Sequence, residues 1–250
     1  MLAGISQKAV DHLVDENYIY AKALHYLGID FYNNRGKTLL QVCQENGVDA
    51  KRFISVLENT DNVKLDYDLN FKKYPCILIL EYLRHAHQVF IKDQLPYISK
   101  LINDLNSDQA DDQLVQDLKF IFPIFVEDFI KHIYEEEDHF FSYVEALENC
   151  SIGILSYKEV YPKINKNSIQ EFALHHGDSD DEMKGIRGIT HQYSTDRIED
   201  VHLKVIFKEL ERFDKSLGTH ASIENEILFP KALDLEKKVR NLVHTNTASN

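Results

Sequence analysis

The stretch THASIENEILFP, residues 219–230, decides how this chain of 250 residues is read. It lies near the end of a long amphipathic run and sets His220 and Glu224 four residues apart. On a helix that spacing stacks both side chains on one face, one turn above the other. Upstream, in KHIYEEED (131–138), His132 and Glu136 repeat the device. An imidazole with a carboxylate one turn along, on each of two helices, offers a pair of metal ions a terminal nitrogen apiece and two bridging oxygens.

The runs around these two motifs carry helical stripes. From about 195 to 235, Ile206, Leu210, Phe213, Leu217, His220, Glu224 and Ile227 step by three or four, with Gly218 as the weak spot. From about 112 to 147 the stripe is Leu118, Ile121, Phe125, Phe129, His132, Glu136, Phe140, Tyr143 and Leu147, and Pro123 is expected to bend its early part. A further helix opens at Pro75, where the missing N–H costs nothing. Its stripe runs Leu80, Leu83, His87, Ile91, Leu95, Ile98, Ile102 and Leu105, with a kink expected at Pro96. A third helix in chain order, about 168–193, turns Ile169, Phe172, His176, Met183, Ile186 and Thr190 inward. Its HHGDSDD segment is poor helix sequence, so a loose or distorted stretch is expected there. Residues 149–166 read as a connection. Four long helices with moderate connections predict an all-α, up-down-up-down four-helix bundle.

Ahead of the bundle, residues 1–60 read as a small helical domain. Asp15 or Asn17 caps a helix through Leu27 that Gly28 stops. Thr38 caps LLQVCQEN, which ends at Gly47, and Asp49 is a candidate cap for a helix through Leu57. Polar residues without periodicity place a linker at 61–73. The bundle then covers 74–240, and 241–250 is expected to be a disordered tail.

Composition narrows the function classes. A 44% hydrophobic content supports a proper core, and nine Gly with five Pro suit long helices. The net charge of −13 argues against nucleic acid or an anionic membrane as partner. Residues 1–60 are close to neutral, so the acid sits in the body, where nine of the twelve His lie between positions 85 and 220. Cys43, Cys76 and Cys150 are dispersed and odd in number, which favours a reducing cytoplasm over a disulfide framework. No apolar run approaches membrane-spanning length and no signal-peptide core is visible, so a soluble cytoplasmic protein is expected.

Together the stripes offer His87, His132 with Glu136, His176, and His220 with Glu224. Charged groups on apolar stripes are costly unless paired or metal-bound, and imidazoles with bridging carboxylates suit a di-iron site. A single His-x-x-x-Glu is weak, because such pairs also sit harmlessly on exposed helix faces. Two on core stripes, with a His on each remaining helix, form a far more specific pattern. His12, His25, His191, His202 and His244 read as surface or satisfied side chains. His139 and His175 are candidates for a supporting role only, and Tyr134, Tyr143 and Tyr193 are near enough in sequence to line the site. No Walker motif or GxSxG is present.

HASIENEILFPKA (220–232) and HIYEE (132–136) resemble the hemerythrin-like di-iron proteins called repair of iron centres. The resemblance extends to DQLPYI (93–98), to LHHGDSDDEMKGIRGIT (174–190) and to LGIDFYNNRGKTLLQVCQENGVD in the front domain. It implies two non-haem irons held by His132, Glu136, His176, His220 and Glu224, with the two Glu as bridges. For the remaining ligand the position best matching the family is Gln88, whereas helical phase favours His87, since Gln88 is rotated by about 100°. His85 is a third choice. The front domain departs from the family, which carries adjacent cysteines followed by glycines where this chain reads Tyr32, Asn33, Asn34 and Arg35. Thiol chemistry at that place is therefore ruled out here. The implied function is repair of iron–sulfur clusters after nitric oxide or oxidative damage, with iron–sulfur proteins as clients and NO or O2 as small-gas ligands. The alternatives are a hemerythrin-like module that binds or senses O2, NO or iron without turnover, and an interaction scaffold with a degenerate site. A homodimer is compatible with each.

Overall fold

The computed structural model describes residues 5–61, 71–105, 112–178, 181–196 and 198–247; the side chains of 50, 61, 112, 174–178 and 242–247 are outside that description. Among the described residues every regular element is helical, and the only β-type pairing is an isolated bridge between Ala9 and Thr38.

The front domain contains α1 (Val10–Glu16), α2 (Ile19–Tyr26), α3 (Leu39–Glu45) and α4 (Ala50–Asp61). Its caps follow from the sequence. Thr38 and Gln41 close a capping box, with Thr38 Oγ1 accepting from Gln41 N at 3.3 Å and Gln41 Oε1 from Thr38 N at 2.9 Å. Asp49 Oδ1 accepts from Arg52 N at 2.7 Å. Gly28 and Gly47, at φ 75° and 65°, take the left-handed position that ends α2 and α3.

Three long rods follow, and each contains a π turn. The first is α5 (Cys76–Val89), the turn Phe90–Gln94, and α6 (Leu95–Asn103). The second is α7 (Asp112–Glu135), the turn Glu136–Phe141, and α8 (Ser142–Ser151). The last is α12 (Val201–Ile223), the turn Glu224–Leu228, and α13 (Phe229–Thr247). Between them lie α9 (Tyr157–Lys166), α10 (Ile169–Asp178) and α11 (Lys184–Ile189). α6 packs on α7 and α5 on α8, so the first two rods run antiparallel. α12 packs on α6 and α13 on α8, which aligns the last rod with the second. α10 touches α13 and α11 touches α7, so the broken third segment runs back between them.

Several expectations change. The supposed connection 149–166 contains α9, started by the Ser156–Glu159 capping box and held by buried Val160 and Ile164. The expected third helix is described as two short ones, α10 ending at Asp178 and α11 opening at Lys184. The last rod begins at Val201 rather than near 195, where Asp200 Oδ1 accepts from Leu203 N at 2.8 Å. Its far end continues to Thr247, through most of the expected tail. Buried Val239 and the Arg240–Glu236 pair at 3.0 Å hold the turns that lead into it. Pro96 does not break its rod: the preceding π turn widens the backbone just where the proline ring would collide with the previous turn. Pro123 sits inside α7, which stays helical throughout.

The core falls into two clusters. One joins the front domain to one end of the rods, combining Val10, Leu13, Phe31 and Phe53 with Phe90, Ile98, Phe125 and Phe213. The other fills the opposite end with Leu80, Leu83, Phe140, Phe141, Leu147, Leu228 and Ala232. No helix among the described residues is long and apolar enough to cross a membrane.

Candidate metal centre

Where the two apolar clusters meet, the rods present His87, Glu136, His220 and Glu224 to one another. Each offers a ligand atom, and these atoms all lie within 4.8 Å of one another, so the group can hold a metal ion. His87 comes from the last turns of α5, Glu136 is the first residue of the second π turn, and Glu224 is the first residue of the third. His220 Nδ1 is 3.2 Å from Glu224 Oε2, the one-turn stacking that the sequence predicts. His87 Nε2 is 3.4 Å from Glu136 Oε2, and the two imidazole rings lie 4.7 Å apart between centroids. His87 stacks on Phe141 and His220 meets the edge of Phe90, so apolar rings wall the group.

The electrostatics of the group favour a cation. Glu136 and Glu224 are 7% and 1% exposed, and two buried carboxylates at this range repel each other. The Glu136 carboxyl is held well above the usual carboxylate range, first by burial and then by the charge of Glu224, with His87 acting in the opposite sense. His220 Nε2 is buried and has no hydrogen-bond partner among the described residues. A multivalent cation relieves both the carboxylate repulsion and this bare nitrogen, and two imidazoles with two carboxylates suit first-row metals. The donor set therefore fits a metal ion.

Beside the group lies a cavity of about 460 Å³ lined by His87, His132, Glu136, His220 and Glu224 on its inner side. The exposed or half-buried Asp181, Glu182, Arg187, Asp214 and Gly218 also line it. Arg187 places one guanidinium nitrogen 2.6 and 2.8 Å from the two Asp214 oxygens, and it also pairs with Asp181. Tyr193 donates to the same Asp214 at 3.0 Å. Tyr193 reaches it from a left-handed run, His191, Gln192 and Tyr193 at φ 48°, 60° and 59°. Such a run costs about 1–2 kcal/mol per non-glycine residue, so the packing around it must hold it in place.

Of the six expected ligands, four are brought together and His132, half-buried, lines the same cavity. The backbone of His176 belongs to α10, but its side chain lies outside the described residues. The choice on the first rod falls on His87, which is buried, whereas His85 and Gln88 are exposed. Tyr134 is exposed, and Tyr143 donates to Glu236 at 2.6 Å within the other apolar cluster, so neither lines the cavity. Sequence reasoning missed Glu137, whose Oε1 lies 2.7 Å from His87 Nδ1, because it sits in an acidic run that reads as solvated surface. It also missed Arg187 and Asp214, which no local motif marks. No protein-family model matches the chain.

Proposed function

We propose that this chain is a non-haem di-iron protein with a hemerythrin-like four-helix bundle, acting in stress response to repair damaged iron–sulfur centres. The observation that carries the reading is the buried Glu136–Glu224 pair flanked by His87 and His220 between two apolar clusters. In this reading Glu136 and Glu224 would be the carboxylates shared by the metals, with His132 beside them and His176 as the ligand that the resemblance implies. Bound iron supplies redox change and open coordination positions for NO or O2.

The chain's own residues do the rest. Phe90, Phe129, Phe141 and Phe213 pack around the group and keep bulk water from its inner face. The cavity beside His132 leaves room for a small gas on the side not closed by side chains. Asp181, Glu182 and Asp214 give its outer part an acidic character that favours passage of cations, and iron–sulfur proteins are the proposed clients.

A second reading, a module that binds or senses O2, NO or iron without turnover, draws on a separate observation. Asp93, in the π turn that follows His87, accepts from Lys22 at 2.9 Å and from Tyr26 at 2.7 Å, both in the front domain. A rearrangement at His87 therefore has a direct route to the docking of residues 1–60. Stopped-flow mixing of the reduced, iron-loaded protein with NO separates the readings. Multiple turnovers with a supplied reductant support repair chemistry. A single stoichiometric adduct supports binding or sensing, and no reaction with NO contradicts NO chemistry in either reading, leaving O2 or iron as the ligand.

A further inference from the structure

We propose that Glu137 is the positioning residue that holds His87 in its Nδ1–H tautomer, leaving the Nε2 lone pair turned toward Glu136. The assignment rests on the metal-site reading above only for its purpose, not for its geometry.

His87 is 2% exposed and meets carboxylates on both ring nitrogens, Glu137 Oε1 at 2.7 Å from Nδ1 and Glu136 Oε2 at 3.4 Å from Nε2. A neutral imidazole has one donor and one acceptor nitrogen, and the shorter contact fixes which is which. The proton belongs on Nδ1, since an ionised carboxylate only accepts. The ring cannot easily flip to exchange the two, because it stacks on Phe141 with planes 5° apart.

Adjacent residues on an α-helix project about 100° apart, so Glu136 and Glu137 would not both reach one imidazole on a neighbouring rod. The π turn that begins at Glu136 reduces this angular step. Both carboxylates then close on His87 from either side. The turn thereby makes two consecutive glutamates into a ligand and its partner's orienter. Carboxylates that accept from a ligating His fix its orientation and raise its basicity.

The test starts with the metal-free protein. Imidazole ¹⁵N correlation spectra, with His87 assigned through His87→Gln, are expected to show the Nδ1–H tautomer in the wild type. In Glu137→Ala they should show a mixture or the Nε2–H form. Glu137→Gln, whose carbonyl still accepts, should restore Nδ1–H. Titration with Co(II) should then show affinity lowered 10–100-fold in Glu137→Ala and partly recovered in Glu137→Gln. Equal melting temperatures would confirm that the partly exposed substitution leaves the fold intact. A His87 tautomer unchanged in Glu137→Ala overturns the proposal, as does a wild type that is Nε2–H. If the tautomer follows Glu137 while the wild type takes up no metal, the metal-site reading fails and the positioning role stands.

Discussion

At the scale of single residues, the two buried carboxylates make opposite demands from a third, Glu209. On the proposed reading Glu224 holds iron, so replacing it by Ala should abolish stoichiometric iron while leaving the metal-free fold as stable or more so, because a buried charge is removed. Iron retained by E224A in mass spectrometry would exclude it as a bridge. Glu209 is 3% exposed, and its Oε1 has no hydrogen-bond partner among the described residues. Burial raises its carboxyl above the ordinary range, with Lys22 acting in the opposite sense. A raised folded value means that its contribution is full below the unfolded value, about 4.3, and is lost as pH rises through the folded one. E209Q should therefore melt higher at pH 7, by about 1 kcal/mol or more, with the advantage vanishing below pH 4. Thermal melts at the two pH values check this. The pair His220/Glu224 was legible because one helical turn is a rigid ruler, and the same spacing puts His132 on the cavity that Glu136 lines. His87 was legible from phase alone. Glu137, Glu209 and Lys22 were not, because what buries or aims them comes from another rod or from the front domain.

At the scale of elements, the long rods follow from their stripes, and the caps at Thr38, Asp49, Gly28 and Gly47 follow from local chemistry. What periodicity misses is the π turn, which adds a residue and shifts the inward face. On the first rod the buried position moves to Phe90 while Ile91 is only partly buried. The three π turns begin at Glu136, at Glu224 and three residues beyond His87, the same level as the candidate ligands. α9 was missed because its stripe is short and holds Pro162, so its capping box is the better signal. Gly218 tests how α12 tolerates change. A methyl group built there meets nothing within 4 Å, and its backbone is helical. G218A should stabilise the chain by about 0.5–1 kcal/mol, roughly 2–3 °C in Tm, with iron content unchanged. A loss of stability would mean that Gly218 serves the cavity in some way its helical geometry does not reveal.

At the scale of the whole molecule, the front domain is fastened to the rods rather than tethered. Tyr32 stacks on His202 at 4.1 Å with planes 1° apart, and its hydroxyl lies between Asp104 at 2.5 Å and Lys100 at 2.9 Å. Arg35 pairs with Asp200 at 2.7 Å, and Lys204 with Asp15 at 2.7 Å. The segment that departs from the family's cysteine pair thus serves as a docking segment, which composition could not reveal. Burial pulls His202 down to about 4. A depressed folded value means that its contribution is full above the unfolded value, about 6.5, and is lost as pH falls through the folded one. Stability should fall by up to roughly 3 kcal/mol between pH 6.5 and 4, with hydrogen exchange rising first around residues 31–36. H202F, which keeps a ring for Tyr32, should flatten that part of the profile. An unchanged profile would remove His202 as its cause.

The central claim is that the polar layer between the two apolar clusters is a two-iron site. The most direct measurement is metal content by mass spectrometry on protein produced with iron supplied, together with its ultraviolet–visible spectrum. The account predicts about two irons per chain and the bands of a bridged ferric pair. Protein that carries no metal under those conditions would contradict it.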